Sequence, residues 1–292
     1  MLLNVQQKDK IVINKFICED NIFKKRYTTE YLTAKLNKFY TVKNYAAFFH
    51  KRANEILSYG IYHLFAENNE DLYNKSFYTH VRLNYLHHLA IKDEQKYVGG
   101  CDTYHMRGMK KAIILEDNKL INVYFKKYPQ LSQSSLFNNK SQHNFIYYVF
   151  NKTEDKNLVL NQIEKAISAA STKYEKYYFS CLLNLLVENK EQYFNDLKKL
   201  TPLYLRVSSD DKTLNKFYCE DALFLAKLGM KVFSMKYSDF NSILYITAKL
   251  LISKKRDEND YLNILNNFSE IKELMISLPL NYELSIFQKE EL

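Results

Sequence analysis

Apolar residues recur at every third or fourth position over most of the chain, the spacing of one face of an α-helix. The strongest stripe runs from Val42 through Tyr45, Phe49, Ala53, Ile56 and Leu57 to Leu64. Gly60 sits beside it, where a missing side chain would let a second helix approach closely. Phe77, Val81, Tyr85 and Leu89 mark a further helix over residues 75–98. Tyr178, Cys181, Leu182 and Leu185 form another, broken by the polar run Glu188-Asn189-Lys190-Glu191. Tyr193, Phe194, Leu197 and Leu200 resume the pattern, which predicts a helix, a tight turn and a second helix. Beyond the N-cap cluster Ser208-Ser209-Asp210, the residues Leu214, Phe217, Tyr218, Leu225 and Leu228 predict one more helix. Gly229 stands where a C-cap glycine belongs.

Weaker helical spacing covers residues 28–40, 143–151, 155–170, 237–253 and 259–276, and Pro279 closes the last of these. Residues 1–27 carry Ile11, Val12 and Ile13 without a period and predict a short strand or an extended arm. Over 110–128, Ile113, Ile114, Val123 and Phe125 also suit a β-hairpin about Asp117-Asn118. The helical surroundings favour helices there.

One stretch repeats. LFAENNEDLYN (Leu64–Asn74) lies without gaps on LLVENKEQYFN (Leu185–Asn195), and ILEDNKLIN (Ile114–Asn122) is a looser copy. Asn at the break suits both the end of one helix and the start of the next. The repeats predict an all-α fold of stacked antiparallel helical hairpins, in which each pair buries its apolar face against a neighbour. Residues 129–142 (PQLSQSSLFNNKSQ) read as a linker between helical subdomains at 1–128 and 143–292 of one continuous unit.

Composition narrows the fold class. Gly 5 and Pro 3 in 292 residues are too few for a turn-rich β fold, and 47% hydrophobic residues suffice for a full core. Tyr 25 and Phe 19 supply the bulky packing groups in the absence of Trp. The formal net charge is +9, yet beyond Arg26, Arg52, Arg82, Arg107, Arg206 and Arg256 every basic residue is lysine. Arginine is the side chain that grips phosphates and bases bidentately, so specific nucleic-acid binding is disfavoured. A lysine-rich face instead steers an acidic protein partner. The run Tyr124-Phe125-Lys126-Lys127-Tyr128 interleaves aromatics with lysines, but helical spacing explains it as one aromatic and one solvated face. The N-terminus lacks an apolar targeting core and no uncharged run reaches membrane-spanning length, so a cytoplasmic protein without a membrane partner is expected.

Cys18, Cys101, Cys181 and Cys219 form no CxxC pair, and the last two sit among apolar neighbours as reduced core thiols. The segment 99–108, GGCDTYHMRG, holds three of the five glycines and reads as a distinctive loop. Cys101 and His105, with His87 or His88, have ligand types at plausible metal spacing, and with Asp102 also resemble a cysteine–histidine nucleophile pair. Neither HExxH nor a Walker sequence is present to fix a site; Gly99-Gly100 before Lys110-Lys111 is only a faint phosphate-loop echo. No catalytic residue, metal or cofactor is expected. A partner-binding spot is expected on that loop at Tyr104, His105 and Arg107, since Tyr and Arg anchor interfaces. Glu188 and Glu191 fit helix capping, whereas Asp221 falls on an apolar stripe and calls for a tyrosine or lysine partner.

From about Tyr178 to Met230, the segments CLLNLLVENKEQYFNDLKKL and FYCEDALFLAKLGM resemble the bacterial immunity proteins of polymorphic toxin systems, most nearly immunity family forty-nine. A second all-helical immunity family, paired with nuclease toxins, has a similar rhythm. Two departures stand out: Glu188-Asn189-Lys190 replaces a Gly-Asp turn, and no proline follows Gly229 within MKVFSMKYSDFNSIL. The resemblance implies a cytoplasmic, non-enzymatic antitoxin that binds a cognate toxin, encoded by a neighbouring gene, and blocks it. Two other readings remain: a helical-repeat adaptor, and a small metal- or cysteine-dependent enzyme around Cys101 and His105.

Overall fold

In the computed structural model the described residues are 28–36, 45–93, 98–127, 136–150, 155–207, 220–240 and 243. They are helical and packed helix on helix, with no strand among them. The expected arm at 1–27 and helix at 259–276 lie outside these residues, as does most of that at 237–253. No helix among the described residues is long and apolar enough to cross a membrane. The helices up to Lys127 belong to one compact unit and those from Phe137 onward to another.

The first unit contains α1 (Thr29–Leu36), α2 (Tyr45–Glu67), α3 (Glu70–Asp93), α4 (Val98–Leu115) and α5 (Asn118–Lys127). α2 and α3 run antiparallel at very close range. His80 Nδ1 donates to Ala53 O at 2.8 Å and His87 Nδ1 to Ala46 O at 2.7 Å. Between them and the turn lies Gly60, where an added Cβ would come 2.4 Å from Ser76 Cβ. α4 returns antiparallel along α3, with Lys111 facing Asn84 and His105 facing His88. Phe49, Phe77, Tyr85, Met109 and Tyr124 fill the core.

The segment 99–108, expected to be a loop, is instead helical within α4. Gly108 is there for packing rather than for a turn, since a Cβ would meet Tyr124 Oη at 2.0 Å. Residues 110–127 form the end of α4, a turn and α5, not a hairpin of strands.

The second unit contains α6 (Phe137–Val149), α7 (Lys156–Ala169), α8 (Lys173–Leu186), α9 (Lys190–Val207) and α10 (Glu220–Phe233), followed by a 3₁₀ turn at Tyr237–Phe240. Residues 137–142, expected to end a linker, are the first turns of α6. α8 begins with a capping box in which Thr172 Oγ1 accepts from Glu175 N and the Glu175 carboxylate accepts from Thr172 N. Tyr193, Phe179, Leu182 and Phe224 are fully buried in the core of this unit. Gly229 does not end its helix. α10 continues to Phe233, and Ser234 at φ 51° follows its end. Gly229 makes room for Tyr193, whose hydroxyl would lie 2.7 Å from a Cβ and itself donates to Leu225 O at 2.7 Å. Asp221 accepts from Tyr174 Oη at 2.5 Å, the tyrosine partner its position called for.

Three hairpin turns share one chemistry. Asn68, Glu116 and Glu188 each adopt positive φ, and the next residue in each case caps the following helix. Asn69 Oδ1 accepts from Leu72 N, Asp117 Oδ1 from Leu120 N and Asn189 Oδ1 from Gln192 N, at 3.0, 3.0 and 3.1 Å. The last two turns also return an amide five residues back, Asp117 N to Ala112 O and Asn189 N to Asn184 O. A left-handed residue of this kind satisfies the orphan carbonyls that end one helix while the Asx side chain satisfies the amides that start the next.

Candidate binding seam

Three polar stripes converge in the first unit. α2 contributes His50 and Asn54, α3 contributes His80, Asn84 and His87, and α4 contributes Arg107 and Lys111. Each set is spaced by three or four residues and so occupies one side of its helix. Asn84 is the connector: its Oδ1 accepts from Lys111 Nζ at 3.2 Å and its Nδ2 donates to His80 O at 2.8 Å and faces His80 Nε2 at 3.1 Å. The His50 and His87 rings lie 5.0 Å apart, and Asn54 Nδ2 is 3.3 Å from His50 Nε2. His80, His87 and Lys111 are buried, whereas His50 and Arg107 are exposed.

The electrostatics follow from this layout. Carbonyl oxygens only accept, so Nδ1 of His80 and of His87 carries the proton and Nε2 is the basic nitrogen. Burial holds His87 at about 4, and the charges of His50, Lys111 and Arg107 push it the same way. Burial likewise pushes His80 well below the usual histidine range, with Lys111 and His50 contributing. The seam therefore holds neutral imidazoles beside fixed cations.

The sequence-predicted partner spot divides across α4. Arg107 is exposed on the seam side. His105 is 1% exposed and faces inward, its ring 5.6 Å from that of His88 and 5.3 Å from that of Tyr124. It is a core residue, not a surface anchor. The reason is helical geometry: residues 105 and 107 on one helix point about 200° apart. The Tyr104 and Cys101 side chains lie outside the described residues. Among the described residues no group of three or more His, Cys, Asp or Glu side chains is placed to hold a metal ion.

Two other polar clusters are structural. Arg82, buried in α3, pairs with the Asp117 carboxylate and donates to Tyr78 Oη at 2.9 Å. In the second unit Asp196 accepts from Ser180 Oγ at 2.6 Å, Asn184 Nδ2 at 3.1 Å and Gln192 Nε2 at 3.0 Å, which ties α8 to α9. Beside it Cys181 is a buried free thiol whose pKa is raised by burial and by Asp196, which makes it unreactive.

Sequence reasoning found Arg107 but missed the seam. His50, Asn84 and Lys111 are polar residues on three different helices, and only packing brings them together. Buried His80 and half-buried Asn84, four apart on α3, were the available signal. No protein-family model matches the chain, and neither a curated protein nor a solved structure matches it.

Proposed function

We propose that this protein is a cytoplasmic immunity protein, which binds one cognate toxin domain and neutralises it by stoichiometric association. The observation that carries this reading is the exposed basic rim of His50 and Arg107, backed by Lys111 and fixed on packed helices. A rigid rim of one sign suits an acidic patch on a partner, because nothing need be reordered on docking. The net charge of +9 adds long-range attraction for such a partner. The resemblance of Tyr178–Met230 to immunity proteins supports the same class. Binding is expected to bury at least about 1,200 Å² in total. The test is co-expression with the product of the adjacent gene. A toxic neighbour that co-purifies with this protein, and whose toxicity it relieves, is the expected result. A neighbour that is harmless or does not bind defeats the proposal and leaves the adaptor reading.

A further inference from the structure

We infer that Lys111, Asn84 and His80 form a one-way hydrogen-bond chain that holds α4 to α3 only while the His80 ring is neutral, so that acid releases α4 from the α2–α3 hairpin. This is a conformational device of the first unit and does not depend on the toxin-binding reading.

Each step of the chain has a direction set by chemistry. The Lys111 ammonium only donates, so the Asn84 atom that faces it at 3.2 Å is the carbonyl oxygen. The His80 backbone carbonyl only accepts, so the Asn84 atom 2.8 Å from it is the amide nitrogen. Two independent partners therefore fix one orientation of the Asn84 amide. That orientation sets Nδ2 3.1 Å from Nε2 and 3.3 Å from Nδ1 of the His80 ring. An atom nearly equidistant from both ring nitrogens at this range stands over the ring, because in its plane it would collide with Cε1. A neutral imidazole accepts an N–H from that side. At its far end the chain closes on α2, where His80 Nδ1 donates to Ala53 O at 2.8 Å.

A proton on Nε2 turns the ring into a cation with the Asn84 N–H groups pressed against it. The amide cannot answer by turning over, since its nitrogen would then meet the ammonium and its oxygen the His80 carbonyl. The titratable groups that face His80 are Lys111 from α4 and His50 from α2, and neither offers a negative charge. Burial opposes the proton further. The bond to Ala53 O survives, because an imidazolium still donates through Nδ1. The conflict thus falls on the α4 side. Withdrawal of α4 takes the Lys111 charge away and admits water to the ring and the amide. α4 also carries the exposed Arg107, so the rim opens with it.

Hydrogen exchange of the full chain, read by mass spectrometry at pH about 7.5 and about 5 and corrected for the intrinsic pH dependence of amide exchange, tests this. The open state takes up one more proton, so its population rises by up to about tenfold per pH unit below about 6.5. Peptides of α4 should lose at least about tenfold in protection over this range, while those of α2 and α3 keep theirs. Asn84→Asp gives both the ammonium and the imidazolium an acceptor, so it should remove or reverse the acid response. A second measurement needs no variant at position 84: nitrogen-15 spectra of the histidine rings at pH about 8 should show His80 protonated at Nδ1 alone, assigned by the loss of its signals in His80→Gln. Four results overturn the inference. They are α4 protection that does not change with pH, equal loss from α2, α3 and α4, an unchanged acid response in Asn84→Asp with native circular dichroism, and a His80 ring protonated at Nε2 at the higher pH.

Discussion

Gly60 shows how little room separates α2 from α3. Alanine is the better helix former by about 1 kcal/mol, but its Cβ would come 2.4 Å from Ser76 Cβ and 3.3 Å from the Tyr73 backbone. Neither neighbour is the free end of a flexible side chain, so the helices must part. Gly60→Ala should therefore destabilise the protein by about 1–3 kcal/mol in urea unfolding, and adding Ser76→Gly should recover part of that loss. The buried histidines make a second prediction. Their folded-state values lie below the ordinary 6.5, so the unfolded chain binds protons first on acidification. The stability from the neutral rings is complete above about 6.5 and is lost as the pH falls from there toward about 4. For His87 alone the change from 6.5 to about 4 corresponds to about 3 kcal/mol. Denaturation midpoints across this range should fall steeply, and His87→Gln should flatten the profile.

At the level of elements, the turns were legible and their register was not. Matching Glu67 to Glu188 in the sequence places Asn68 on Asn189. The backbone places Asn69 on Asn189, since these are the two caps, and Tyr73 then falls on Tyr193, both fully buried. Side-chain identity at the polar break pulled the alignment one residue away from the geometry that the apolar positions obey. The glycines misled for a related reason. Gly108 and Gly229 lie inside helices because Tyr124 and Tyr193 pack where a Cβ would stand, and a single sequence does not tell such a contact from a turn. Asp117 is the turn residue with most at stake, since one oxygen caps α5 and the other pairs with buried Arg82. Asp117→Ala should cost about 3–5 kcal/mol, because it strands a buried guanidinium. Asn189→Ala removes only a cap and should cost about 1 kcal/mol. Thermal unfolding of the two variants side by side separates these outcomes.

For the whole molecule, composition and periodicity were enough to give an all-α fold. They did not give the seam, because charge on separate helices becomes a feature only through tertiary packing. If association with a toxin is steered by the net charge of +9, its rate should drop at least about tenfold between ~50 and ~500 mM salt, while dissociation changes little. Stopped-flow mixing over a salt series measures both. The two-residue connection between α2 and α3 also bears on how the chain acquires its shape in time. Partners such as Ala53 and His80 are close in sequence, so closing this hairpin sacrifices little loop entropy. During synthesis the pair is complete once Asp93 has cleared the ribosome, and its apolar faces are covered before α8 and α9 have been made.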